Sequence, residues 1–156
     1  MQNSYEAKDI KILEGLDAVR LRPGMYIGTT GLKGLHHILW ELVDNAIDEV
    51  SNGFGNKITV TLHSNGSASV EDDGRGIPVD AHPQLGISGV EVVFTQLHAG
   101  GKFDTHNYSF SGGLHGVGAS VTNALSEWLK VSVYKDGWEY RMQFASFEDE
   151  DGKIRS

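Results

Sequence analysis

The run Ser111-Gly-Gly-Leu-His-Gly-Val-Gly118 restricts this chain more than any other stretch. Four glycines within residues 112–118 leave backbone N–H groups with few side chains beside them, and Ala119-Ser-Val-Thr-Asn-Ala-Leu125 directly behind can begin a helix. Unshielded N–H groups opening into a helix N-terminus favour an anion, because orphan donors and helix dipole both attract negative charge. Two readings are open from this run alone: a cradle for phosphate, or a loop that uses glycine only to turn.

A chain of 156 residues is long enough for one domain with a single substantial core. The net charge of −8, from 13 basic and 21 acidic residues, offers no basic nucleic-acid footprint. Any DNA contact therefore has to come from a small local patch or from elsewhere. The absence of cysteine excludes disulfides and thiolate metal sites and fits a reducing compartment. The seven histidines, at 36, 37, 63, 82, 98, 106 and 115, show no zinc-like spacing. No secretory pattern opens the chain and no apolar run approaches membrane-spanning length. A soluble, cytoplasmic protein with no membrane partner is expected.

Hydrophobic periodicity divides the chain into helices and hairpins. Asp9 to Leu21 carries a helical stripe that stops before Pro23. Residues 34–52 form the clearest helix, with Leu35, Ile38, Leu39, Leu42, Val43, Ala46, Ile47 and Val50 on one face. The period then switches to two: Ile58, Val60 and Leu62 alternate, Asn65-Gly66 turns the chain, and Ala68 and Val70 return it. Ser88 with Glu91 is a capping-box pattern opening a helix that runs through Leu97 to Gly100-Gly101. A glycine-rich loop spans 100–118, and the helix after it is expected to reach about Leu129. Lys130–Tyr134 and Trp138–Phe144 make a second hairpin around Asp136-Gly137, and the charged tail from Ser146 reads as solvated loop. The expectation is one α/β domain with helices packed on a mixed, largely antiparallel sheet.

Three groups of residues carry chemistry. On the 34–52 helix, His37, Glu41 and Asn45 recur at steps of four, so they share one face. Such a polar face can be simple solvation, but Glu can act as a general base and Asn can supply a neutral oxygen to Mg²⁺. Asp72-Asp73-Gly74-Arg75-Gly76-Ile77-Pro78 ends a strand, where a fixed acid can accept from an exocyclic amine such as that of adenine. The glycine run is the third, and it is neither a P-loop nor a dinucleotide fingerprint.

In order and spacing, Glu41-x-x-x-Asn45, Asp72-x-Gly74-x-Gly76 and Gly112-Gly-Leu-His-Gly-Val-Gly118 resemble the N, G1 and G2 boxes of the GHKL ATPases. Arg22-Pro-Gly-Met-Tyr-Ile-Gly28, Gly34-Leu-His-His37, Val43-Asp-Asn-Ala-Ile-Asp-Glu49 and Leu97-His-Ala-Gly-Gly-Lys-Phe103 narrow this. They are similar to the ATPase subunits of bacterial type IIA topoisomerases, of the gyrase B or topoisomerase IV B kind. The resemblance runs from about Tyr5 to Phe144. Another GHKL ATPase, of chaperone or mismatch-repair type, and a non-catalytic nucleotide-gated dimerisation module are the alternatives.

The resemblance implies a two-layer α/β sandwich, the GHKL or Bergerat ATP-binding fold, with ATP and Mg²⁺ as cofactors. By it, Glu41 activates water for attack on the γ-phosphate, His37 orients Glu41, and Asn45 ligates the Mg²⁺. Asp72 takes the adenine amino group, Gly76 allows close approach, and Ile77, Pro78 and Ile87 wall the adenine pocket. Glu49 and Arg75 pair at the pocket mouth. Gly101, Lys102, Tyr108 and the backbone of Leu114, His115, Gly116, Val117 and Gly118 belong to an ATP lid over 100–118. An arm over residues 1–15, with Tyr5 and Ile10, reaches a second copy of the same chain in an ATP-dependent dimer. The implied partners are that copy, the DNA-cleaving component of gyrase A or topoisomerase IV A type, DNA in the holoenzyme, and aminocoumarin-type inhibitors. Two departures stand out: Lys135 where many relatives carry Arg, which loses the planar fork, and Ser109 where some carry Lys. Relatives continue beyond this length, so a truncated ATPase domain with weak or no turnover alone is expected.

Overall fold

Backbone demands set the first boundaries. Gly31 is extended and supplies no side-chain cap, and from it helix α3 runs over Leu32–Ser51. Asn52 closes that helix by donating from Nδ2 to the Asp48 carbonyl at 2.8 Å. This computed structural model describes residues 15–97 and 118–155. Before α3 stand α1 (Asp17–Leu21) and α2 (Gly24–Ile27); after it come β1 (Ile58–Leu62), β2 (Ala68–Asp72) and α4 (Gly89–Thr95). Helix α5 (Gly118–Ala124) precedes β3 (Trp128–Lys135), β4 (Trp138–Ala145), β5 (Phe147–Glu148) and β6 (Ile154–Arg155).

Among the described residues the strands form three antiparallel pairs, β1 with β2, β3 with β4 and β5 with β6. The β3–β4 pair turns at Asp136 (φ 53°) and Gly137 (φ 80°), the consecutive left-handed residues of a tight hairpin that keeps strand twist. Helices on antiparallel strands agree with the expected α/β class. No parallel pairing occurs among the described residues, so the mixed character expected of the sheet is not seen in them.

Helix α5 lies at the centre, with all seven of its residues buried. On one side Val121 and Ala124 join Leu16, Val19 and Ile27; on the other Ala119 joins Val90, Phe94, Leu129 and Val133. Asn123, 2% exposed, donates from Nδ2 to the Phe94 carbonyl at 2.9 Å and fastens α5 to the end of α4. Thr122 Oγ1 donates to the Ile38 carbonyl at 3.0 Å and fastens it to α3.

Several boundaries differ from the sequence expectation. Helix α5 stops at Ala124 rather than reaching Leu129, because Ser126 Oγ donates to the Thr122 carbonyl and the Ser146 N–H takes the Glu127 carbonyl. Those bonds turn the chain, and Trp128 is already paired with Ala145. The tail is not solvated loop: β5 and β6 pair, and Asp149 accepts from the N–H groups of Asp151 and Lys153 inside their turn. Arg155 then bridges Asp149 and Asp17, tying the tail to α1. Of the helix expected over residues 9–21, the described part is Asp17–Leu21, and α2 was not foreseen. The eight-residue apolar face of α3 is not uniformly buried, since Leu35 is 61% and Ile47 42% exposed. The helix packs against α2, α5, β1 and β2.

Candidate active site

Helix α3 brings His37 and Glu41 together one turn apart. The ring Nε2 and Glu41 Oε1 are 2.8 Å apart, and since a carboxylate can only accept, Nε2 carries the proton. Glu41 is the more enclosed partner, with 19% of its side chain exposed against 42% for His37. Gly118, the first residue of α5, lies directly against the Glu41 side chain. A β-carbon at position 118 would collide with Oε2 and sit 3.0 Å from the Glu41 β-carbon. The carboxylate is thus held between an imidazole and a bare glycine. Asn45 follows one turn further along α3, half-buried.

The paired acids at the end of β2 have different hydrogen-bond partners. Asp73 Oδ1 accepts the N–H groups of Asn56 at 2.8 Å and Lys57 at 2.9 Å, so it ties the turn to the chain leaving α3. These N–H donors hold its carboxyl below the ordinary carboxylate range. Asp72 Oδ1 accepts from Gly74 N–H at 2.9 Å, which fixes the exposed carboxylate at the strand end. A carboxylate so fixed can receive an amine donor. Spacing alone did not divide the two acids; the family resemblance singled out Asp72, and Asp73 is the one committed to the Asn56 and Lys57 N–H groups.

Glu49, from the last turn of α3, accepts from Arg75 three times: Nη2 at 2.7 Å, backbone N–H at 3.1 Å and Nε at 3.3 Å. The expected Glu49–Arg75 pair is therefore present. Gly76 follows with φ of 78°, a left-handed conformation that other residues adopt at a cost. It also packs under β3, where a β-carbon would meet Val133 Cγ1 at 2.9 Å. Ile77 rests on the core cluster that contains Val133. Pro78 lies against Gly89 at the start of α4, and the chain to Ile87 folds back through His82 N–H to Ile87 O at 2.7 Å. Ser88 Oγ caps α4 by accepting from Glu91 N–H at 3.2 Å, as the capping pattern anticipates. Lys135 ends β3, half-buried and opposite Trp138.

The arm residues Tyr5 and Ile10, and Gly101, Lys102, Tyr108, Ser109, Leu114, His115, Gly116 and Val117 of the expected lid, lie outside the described residues. Among the described residues no group of three His, Asp or Glu stands ready to hold a metal. None of their helices is long and apolar enough to cross a membrane. Phe54 escaped the sequence reading: its ring centroid is 3.6 Å from Arg75 Cζ. No spacing rule links residues 54 and 75, so only the fold could show it.

The model of the family described as histidine kinase-, DNA gyrase B- and HSP90-like ATPase matches residues 31–152. The chain is 61% identical to the DNA gyrase B protein of Thermotoga maritima over 140 residues, which is 90% of this chain and 22% of that protein. It is 59% identical to the DNA topoisomerase 4 B protein of Staphylococcus aureus over 143 residues, 92% of this chain and 21% of that protein. It thus spans between a fifth and a quarter of the length of these curated relatives. Among solved structures, the 43K ATPase domain of Thermus thermophilus gyrase B in complex with an aminocoumarin superposes with a TM-score of 0.70. That comparison has 44% identity and covers 89% of this chain and 32% of the other.

Proposed function

The chain belongs to the histidine kinase-, DNA gyrase B- and HSP90-like ATPases, and from that premise we propose that it is the ATP-binding and hydrolysing module of a bacterial type IIA DNA topoisomerase. One observation carries the catalytic part: Glu41 is held by His37 at 2.8 Å and closed on its other side by Gly118. A module that only bound nucleotide has no need of a carboxylate positioned this way. That weighs against the non-catalytic dimerisation module.

In this reading Glu41 takes a proton from the water whose oxygen attacks the γ-phosphorus. The bond to the bridging oxygen breaks, ADP leaves and the proton rests on Glu41. His37 holds the carboxylate in line, and its N–H has no other task in the step. Phosphoryl transfer asks mainly for positioning and charge stabilisation. Asp72 receives the adenine amine, with Gly76, Ile77, Pro78 and Ile87 forming the wall beside it. Arg75, held by Glu49, stands at the mouth. Gly101, Lys102, Tyr108 and the backbone of Leu114 to Gly118 are assigned to the phosphates and nucleoside, and the arm with Tyr5 to a second copy of the chain.

The donor set suits Mg²⁺ delivered with the nucleotide. This ion keeps its waters and takes few protein oxygens beside the phosphates, so a single carboxamide oxygen, that of Asn45, fits better than a carboxylate cage would. When bound, the ion neutralises charge that develops on the phosphates. Asn45 would hold it there.

By the same reading the module works in the cytoplasm, within a longer protein whose ATP-driven dimer closure is coupled to DNA strand passage. The other partners are the DNA-cleaving component of gyrase A or topoisomerase IV A type, and DNA. Aminocoumarins are expected to compete at the adenine end; the Thermus thermophilus domain is itself in complex with an aminocoumarin. The test is Glu41→Gln in the full-length protein. Phosphate release should vanish while a non-hydrolysable ATP analogue still binds; unchanged turnover would overturn the assignment.

A further inference from the structure

Glu49 in the last turn of α3 and Phe54 just beyond its end hold the Arg75 side chain. Glu49 accepts along its Nε–Nη2 edge at 3.3 and 2.7 Å. Phe54 covers the guanidinium with its ring, 3.6 Å from Cζ to centroid. Phe54 is itself fixed, because its N–H donates to the Glu49 carbonyl at 2.9 Å. The backbones that carry ring and carboxylate are thus tied to one another. A planar cation gripped along an edge and stacked on a ring has lost most of the rotations of an ordinary surface arginine. Arg75 nevertheless keeps 37% of its side-chain surface, and it leaves the same turn as Asp72.

We propose that Phe54 is a positioning residue for recognition of the nucleotide's base, acting through Arg75 alone. Its ring fixes the plane of the guanidinium, so that a planar base meets a preorganised cation and spends no binding energy ordering it. This rests on the reading of Asp72 and Arg75 as the base end of an ATP site. Phe54 has no part in the chemistry at the γ-phosphate, which the Glu41–His37 pair serves.

The discriminating variant is Phe54→Leu, which fills similar volume without a ring quadrupole. In the full-length protein it should raise KM for ATP about fivefold, the scale of an exposed cation–π contact, at unchanged kcat. Phe54→Tyr should restore KM. Should the leucine variant not fold, Phe54→His carries the test. Its protonation on acidification would place a second cation against Arg75, so KM rises more steeply with falling pH in the variant than in the wild type. An unchanged KM in Phe54→Leu, a fall in kcat instead, or a Phe54→His no steeper with pH than the wild type each overturns the assignment. A wild-type protein that neither binds nor hydrolyses ATP overturns the nucleotide reading itself. Hydrolysis by the wild type beside an unaffected Phe54→Leu overturns Phe54 alone.

Discussion

Gly118 is pressed against Glu41 so closely that a single added methyl group at 118 would occupy the space of the carboxylate. The atom in the way is the tip of a flexible side chain, so the fold can yield there more easily than the function can. Gly118→Ala should leave the melting temperature little changed while displacing Glu41 from His37. Misplacement of a reacting group by about 1 Å costs on the order of 10²-fold in rate, and phosphate release by the full-length protein should fall by that much. Full turnover in this variant would show that Glu41 works from another position.

His37 offers a graded counterpart. In the proposed mechanism its bond to Glu41, at 2.8 Å, orients the base without replacing it. His37→Ala should therefore lower kcat by about 10- to 10²-fold, less than loss of the base itself. KM for ATP should stay within about twofold, since uniform binding is untouched. Steady-state kinetics separates the two parameters directly.

Asn123 fastens α5 to the end of α4 by one buried hydrogen bond to the Phe94 carbonyl, at 2.9 Å. Asn123→Ala removes the donor and leaves a buried acceptor unsatisfied, at a cost of about 1–3 kcal/mol. The urea midpoint should fall accordingly with an unchanged slope, because the surface exposed on unfolding is the same. A midpoint within error of wild type would mean the carbonyl finds another donor.

Asp73 gives a pH signature. Its carboxyl is held below the ordinary value of 3.8, first by the Lys57 N–H and then by the Asn56 N–H. A depressed native value means the carboxylate form stabilises the fold. That contribution is complete above 3.8 and is lost as pH falls through the lower native value. Asp73→Asn should therefore be less stable than wild type at neutral pH, and the gap should close under strong acid. Denaturant midpoints across the acid limb test this; a gap independent of pH would contradict it.

How much of this was legible in the sequence depended on whether a residue's partner was local. His37 and Glu41 are four apart on a helix, so periodicity alone placed them side by side. Ser88 and Glu91 announced the cap of α4 for the same reason. The Asp136-Gly137 turn was equally plain, because its backbone angles suit those residues. Leu129 misled, since Leu125 and Leu129 keep helical spacing while the pairing of Trp128 with Ala145 decides the matter from 17 residues away. Arg155 and Asp17 are 138 residues apart, and no pattern in a charged tail reveals such a bond. Spacing alone did not tell Asp73 from Asp72, which only the resemblance singled out, for a related reason: the donors that claim Asp73 come from Asn56 and Lys57.

The contact of Gly76 with Val133 has a further consequence. Among the described residues the β1–β2 and β3–β4 pairs share no main-chain hydrogen bond. The separation between the turn bearing Asp72 and strand β3 is therefore gauged at this point by side-chain bulk. Hydrogen-bonded spacing comes in fixed steps, whereas van der Waals spacing can be adjusted one methyl group at a time. Valine at 133 thus works as a calibrated shim. Exchanging it for alanine or isoleucine would narrow or widen the separation between this turn and β3 in small increments.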